Sequence, residues 1–194
     1  MKVLVVHAHP GPDSLSAALR DAAIVGLERA GHEVIRHDLV ADGFVAAMSA
    51  EERVAYHDPH PPPEPIAARY AADVQEVEAM AFVFPTWWFG PPAVLKGWFD
   101  RVLVHGVGFD LDDGKLSSRL RHVRRVAGVT TTGSPGWVIR LSGDGGRRTV
   151  NRTLRLMCNP RCRTSWYSLH GIEQRDRADC EAFVRRVEEG FAGW

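Results

Sequence analysis

Apolar residues in this chain fall into short unbroken runs, and those runs alternate with stretches of helical spacing. Val3 to Val6 is continuous, with no polar residue interleaved. That is the pattern of a parallel strand covered on both faces. After a loop from His7 to Ser14, Leu19, Ala23, Leu27 and Ala30 recur on one helical face, closed by Gly31. Glu33 to Leu39 reads as a second strand, completing a β-α-β unit of right-handed sense. Ala41 to Pro65 has weak periodicity. Its proline run, Asp58 to Pro65, cannot be regular helix or inner strand and is expected as a semi-extended surface loop. Ile66 to Glu78 predicts a helix leading into a third strand, Ala79 to Phe84. Pro91 or Pro92 suits the first turn of the next helix, with Leu95, Trp98 and Val102 as its inner stripe.

Further along, Gly106 to Lys115 reads as a glycine- and aspartate-rich loop. Val123 to Val129 is the fourth strand, and a helix near Arg147 to Met157 turns Val150, Leu154 and Met157 to one face. A fifth strand is expected near Cys162 to Leu169, and a last helix over Arg177 to Phe191. The alternation predicts one α/β domain over residues 1–194, built as three layers around a doubly wound parallel sheet.

Composition narrows the function classes. Lys plus Arg is 24 and Asp plus Glu is 24 in 194 residues. With no net charge there is no global field to draw in nucleic acid or an anionic membrane. No apolar run is long enough to span a bilayer. The start, Met1 to Val6, is too short and too quickly polar for a signal peptide. Cys158, Cys162 and Cys180 match no strong zinc spacing, and no metal site is expected. They read as reduced thiols of a cytoplasmic protein, with Cys158 and Cys162 the one pair placed for redox chemistry.

Chemistry is expected at the carboxyl ends of the strands, where strand order reverses. Three loops there are unusual. The first, His7 to Ser16, offers imidazole, hydroxyls and helix-start amides, the makings of a phosphate cup. An ordinary N-cap by Ser14 or Ser16 would use the same residues. If the strand runs on, His7 and His9 are expected to diverge. The second loop, Pro85-Thr86-Trp87-Trp88-Phe89-Gly90-Pro91-Pro92, sets three aromatics in a row on a backbone restricted by proline and glycine. Exposed aromatic rings in one patch mark a ligand or partner site. The third, Thr130 to Gly136, is thin enough for a planar ring to approach the main chain. Cup, aromatic wall and thin donor loop together match a flavin mononucleotide. The chain has no Gly-x-x-x-x-Gly-Lys-Ser/Thr and no Gly-x-Gly-x-x-Gly after the first strand, so P-loop and Rossmann readings fail. Gly143 to Gly146 reads as a flexible loop. Arg119, Arg121, Arg124 and Arg125 read as solvated edge charges, with a contact to the extra phosphate of NADPH as the alternative.

The segment Phe84-Pro85 through Phe89-Gly90, continuing as Leu95-Lys96-Gly97-Trp98-Phe99-Asp100-Arg101-Val102, resembles the flavodoxin-like NAD(P)H:quinone oxidoreductases. The His9 loop with Ser14 and the Thr131-Thr132-Gly133 loop support the likeness, which runs to about residue 136. The resemblance implies a flavodoxin-like sheet of order 2-1-3-4-5 and a homodimer with its sites at the interface. It implies a flavin, and NAD(P)H as co-substrate for two-electron, ping-pong reduction of a quinone; the short chain and its departure from the family after residue 136 favour FMN, with FAD as the alternative. His9, Ser14, Leu15 and Ser16 would hold the flavin phosphate. Pro85, Thr86, Trp87, Trp88 and Phe89 would line the ring, with Thr131, Thr132 and Gly133 at its polar edge. Trp88 and Phe109 would face the substrate, Phe109 across the subunit boundary. Where the mammalian enzyme has a tyrosine and a histidine after the third loop, an ungapped reading puts Ile139 and Gly145. A second member type, the ancillary flavoproteins of potassium-efflux transporters, leaves a regulatory role and a transporter partner as the alternative.

Overall fold

Val3, Leu4, Val5 and Val6 are each 1% exposed or less, so the first strand is covered on both faces. The computed structural model, which describes residues 1–57 and 64–194, shows what covers them. Strands β1 (Lys2–His7), β2 (Glu33–Asp38), β3 (Ala79–Pro85), β6 (Arg125–Thr132) and β7 (Arg163–His170) form a parallel sheet of order β2-β1-β3-β6-β7. Alternate residues of each strand enter opposite cores, as the two-residue period requires. Leu4, Val6, Met80, Phe82, Phe84 and Val126 pack against α3 (Pro65–Glu76) and α4 (Ala93–Val102). Val3, Val5, Ala79, Ala81, Val83 and Val129 pack against α1 (Leu15–Arg29) and α8 (Arg177–Ala192).

This is the strand order implied by the resemblance, once the hairpin β4 (Phe109–Asp112) and β5 (Lys115–Ser118) is counted apart. That hairpin was expected as loop; its Gly114, with φ 74°, supplies the left-handed turn. A short helix α2 (Ala50–Val54) was also unforeseen. Ser49 and Glu52 form a reciprocal capping box there, a signal present in the sequence as Ser-x-x-Glu. Of the proline run, residues 58–63 lie outside the described residues, and Pro65 is the first residue of α3. The helix expected near Arg147 to Met157 is composite. α6 (Gly145–Arg147) passes through a π-helical segment, Arg148–Leu154, into α7 (Arg155–Met157). A further helix, α5 (Gly136–Leu141), precedes it.

In the Arg119 cluster, Arg119, Arg121 and Arg124 are solvent-exposed, as expected of edge charges, and make surface contacts. Arg119 pairs with Asp110 at 3.1 Å, Arg124 with Glu78 at 3.6 Å, and Arg121 donates to the Cys158 carbonyl at 2.9 Å. No helix among the described residues is long and apolar enough to cross a membrane.

Candidate functional site

β1 is flanked by β2 on one side and β3 on the other, so the strand order reverses between β1 and β3. Loops from β1 and β3 open away from each other there and leave a crevice. β6 lies next to β3, so the three loops singled out above leave adjacent strands at the carboxyl end of the sheet. Their floor is continuous: Ala8 N–H donates to Val83 O at 3.1 Å, and Thr86 N–H to Thr131 O at 2.8 Å.

In the first loop, Ser14 caps α1. Its Oγ accepts from Ala17 N–H at 3.1 Å and donates to Gly11 O at 2.8 Å. That leaves the first N–H groups of α1, those of Leu15 and Ser16, facing the crevice end of a helix 15 residues long. His9 Nδ1 accepts from Gly11 N–H at 2.9 Å, and its ring lies 6.0 Å from that of Trp87. Two of the loops therefore touch through aromatic rings. The rings of His7 and His9 are 6.5 Å apart and do not diverge as expected, because residues two apart share a face of extended chain. His7 is nonetheless committed below the crevice. Its ring nitrogens reach Asp38 at 3.1 Å and Ser16 Oγ at 3.2 Å, while Arg20 closes on Asp38 at 2.9 Å. Burial holds the His7 imidazole below its ordinary pKa. Burial opposes ionisation of Asp38 as well. Hydrogen bonds from His7 and Ala41 N–H, with Arg20 beside them, outweigh it and keep the carboxyl below its ordinary range.

The second loop is a tight turn. Trp87 and Gly90 exchange both backbone hydrogen bonds at 3.0 Å. The two central residues, Trp88 at φ 47° and Phe89 at φ 62°, are left-handed. Two positive φ values define a type I′ turn, which favours Asn and Gly at its centre. Glycine and proline were expected to set this backbone, yet the strain falls on two aromatics. Trp88 is 94% exposed, Trp87 48% and Phe89 38%. Strain and exposure together are typical of positions held for a ligand. Trp98, on the inner stripe of α4 as expected, is fully buried; its Nε1–H donates to His37 Nδ1 at 3.3 Å.

Thr86 Oγ1 and Thr130 Oγ1 lie 2.9 Å apart and tie the second loop to the third. Beyond them Thr131 and Thr132 are buried at the end of β6 and Gly133 is exposed. Thr132 Oγ1 donates to Ser134 O at 2.7 Å and meets His170 Nδ1 at 3.0 Å. His170 went unnoticed in the sequence; the only signal was its place at the end of the fifth strand. Burial lowers its pKa. Ile139 is buried, and Gly145 donates its N–H to Phe89 O at 3.2 Å. A Cβ on Gly145 would stand 2.8 Å from that oxygen. The Gly143 to Gly146 stretch is thus ordered helix start, with glycine required by close approach to the aromatic turn.

Phe109 is placed elsewhere, on the β4–β5 hairpin, with its ring stacked 6.1 Å from that of His105. All the other expected residues, His9, Ser14, Leu15, Ser16, Pro85 to Phe89 and Thr131 to Gly133, sit on the three converging loops or on the strand and helix ends that flank them. The donors fit a phosphate at α1, the exposed rings fit a flat heterocycle, and the crevice joins the two.

Residues 1–184 match the family described as having a flavodoxin-like fold. NAD(P)H dehydrogenase [quinone] 1 of Rattus norvegicus is 30% identical over 166 residues, 77% of this chain and 60% of that protein. Ribosyldihydronicotinamide dehydrogenase [quinone] of Pongo abelii is 35% identical over 168 residues, 76% of this chain and 70% of the relative. The chain thus spans about three fifths of the rat enzyme's length. Among solved structures, the NAD(P)H:quinone oxidoreductase of Methanothermobacter marburgensis superposes with a TM-score of 0.84 at 24% identity, over 99% of this chain and 98% of the other. An FMN-dependent NADH-azoreductase of Bacillus anthracis in complex with FMN gives 0.72 at 15%, over 100% and 99%. A reversed strand order, a strained aromatic turn beside a helix start, and these likenesses agree: the chain belongs to the flavodoxin-like family, as a relative of the quinone dehydrogenases.

Proposed function

We propose that this protein is an NAD(P)H-dependent flavin oxidoreductase that reduces quinones or related acceptors by two electrons. The observation that carries the reading is the Trp87–Gly90 turn. It holds three aromatic rings in solvent on a strained backbone, directly beside the start of α1. FMN is the cofactor favoured, with FAD as the alternative. A bound flavin supplies the redox chemistry, taking two electrons from reduced nicotinamide and passing them to the acceptor. The chain's own residues bind and orient. Ser14 and the free N–H groups of Leu15 and Ser16 receive the phosphate, where the helix dipole favours negative charge. Pro85, Thr86, Trp87, Trp88 and Phe89 give the flat wall, while Thr131, Thr132 and Gly133 present donors and a thin edge. His9, packed on Trp87, braces the cup against that wall. Trp88 and, from a second copy in a homodimer, Phe109 face nicotinamide and acceptor in turn.

Quinone dehydrogenase relatives support this enzyme reading over that of a transporter-bound regulatory flavoprotein. Ile139 and Gly145 offer neither a phenol nor an imidazole beside the ring, so turnover with simple quinones is expected to be modest. Anaerobic stopped-flow mixing of flavin-loaded protein with NADH or NADPH tests the reading. Loss of the visible flavin band, restored by a quinone, is expected, with parallel double-reciprocal lines in the steady state. Full flavin with no bleaching by either nucleotide would overturn it.

A further inference from the structure

A cavity of about 470 Å³ lies beside the three-loop crevice, between one face of β7 and the helices that follow β6. Its lining is basic. Arg140 reaches it from α5, and Arg147, Arg148 and Arg152 from the helix that follows. Asp144 is the one carboxylate among the lining residues, and it is occupied in capping Arg147 N–H at 3.3 Å. Among the described residues none of the four arginines has a carboxylate within salt-bridge distance, and all four stand around this one concavity. The four guanidinium groups are solvent-exposed, and grouped around a concavity they focus a positive field into it that an anion can enter.

Two further observations point to a ligand. Asn151 lines the cavity, and its buried Oδ1 has no hydrogen-bond partner. Such an oxygen is costly unless a donor reaches it. Asn151 and the arginines at 148 and 152 also lie on the π-helical segment, and π turns are frequent at functional sites.

The cavity shares walls with the crevice. His170 lines it and meets Thr132 Oγ1 of the third loop at 3.0 Å. Gly145, at the start of the arginine-bearing helix, bonds Phe89 O of the aromatic turn. A ligand with one end in the crevice can therefore extend into it. The chemistry asked for is phosphate for the arginines together with hydroxyl donors for Asn151.

We propose that this cavity binds the phosphate-bearing adenosine half of the reduced dinucleotide, with the 2′-phosphate of NADPH as the group its arginines select. The identity of the ligand rests on the oxidoreductase reading; the basic cavity itself does not.

The test is calorimetric titration of flavin-loaded protein with adenosine 2′,5′-bisphosphate, with 5′-AMP and with pyrophosphate. The bisphosphate is expected to bind roughly tenfold or more tightly than 5′-AMP, as one added charge-assisted contact provides. The double variant Arg148→Ala with Arg152→Ala should abolish that difference while flavin content stays at the wild-type level. The double variant Arg148→Lys with Arg152→Lys, which keeps charge and helix, should retain much of it and guards against misfolding of the alanine variant. Equal affinity for bisphosphate and 5′-AMP, or tight binding that survives both alanine changes, overturns the proposal. Pyrophosphate binding as tightly as the bisphosphate overturns it in favour of a free-anion site. Full flavin with no bisphosphate binding sinks the cavity assignment alone. Arginine-dependent bisphosphate binding in protein that takes up no flavin sinks the oxidoreductase reading instead.

Discussion

Trp88 places a large ring on a backbone conformation that suits glycine. Its φ of 47° and its 94% exposure mean that folding gains little from this side chain. Left-handed residues other than glycine carry strain of order 1–3 kcal/mol. Two changes at this one position should therefore split stability from binding. Trp88→Gly should leave the flavin-free protein as stable as the parent or more stable, by up to ~1 kcal/mol in urea unfolding. Trp88→Ala and Trp88→Gly should both weaken flavin binding by roughly 1–3 kcal/mol, through loss of stacking and buried aromatic area. Unchanged affinity in both would move the ring away from this turn. The sequence showed the three aromatics but not their geometry. Turn preferences place Asn and Gly at left-handed centres, so Trp88 and Phe89 carry no sequence mark of a type I′ turn.

At the scale of elements, His37 joins β2 to α3 and α4. Trp98 Nε1–H donates to its Nδ1, and its Nε2 lies 2.9 Å from Asp73. The neutral ring with its proton on Nε2 satisfies both partners. Tyr70 stacks on it at 3.7 Å between ring centres. Burial lowers its pKa to about 4, with Asp73 opposing and Arg69 adding to the shift. The native state then binds fewer protons than the unfolded chain between about pH 6.5 and pH 4. Stability is full above this window and falls as pH falls through it, by roughly 3 kcal/mol for a shift of this size. His7 and His170, also lowered by burial, add to the same slope. Urea unfolding at several pH values should show the decline, and His37→Gln should make it shallower. An identical slope in that variant would contradict the assignment.

Strands were the legible elements here. Runs such as Val3 to Val6 are apolar on both faces because helices cover both. The β4–β5 hairpin was hidden because its strands, Phe-Asp-Leu-Asp and Lys-Leu-Ser-Ser, are short and stand outside the main sheet. The π segment was hidden because its inward residues, Val150 and Leu154, fit an α-helical pattern equally well.

For the whole molecule, what remains exposed is informative. Trp88, Trp137, Leu141 and Leu156 are each more than 60% exposed. Single exposed apolar side chains are ordinary, but an aromatic turn left in solvent beside a crevice is not. A second copy covering it would complete the site with Phe109, so sedimentation at micromolar concentration should show a dimer. A stable monomer with full NAD(P)H oxidation would contradict shared sites. The three loops could be named from sequence because each directly follows an apolar run. His170 and the arginine cavity could not. They depend on β7 lying beside β6 at the sheet edge, a neighbour relation that appears only in the fold.

The crevice between β1 and β3 is the flavin site we propose. Titrating purified, flavin-stripped protein with FMN and with FAD, followed by quenching of flavin fluorescence, tests it most directly. Saturable uptake of flavin near one per chain is expected, weakened by Trp88→Ala. Uptake of neither flavin by folded protein would contradict it.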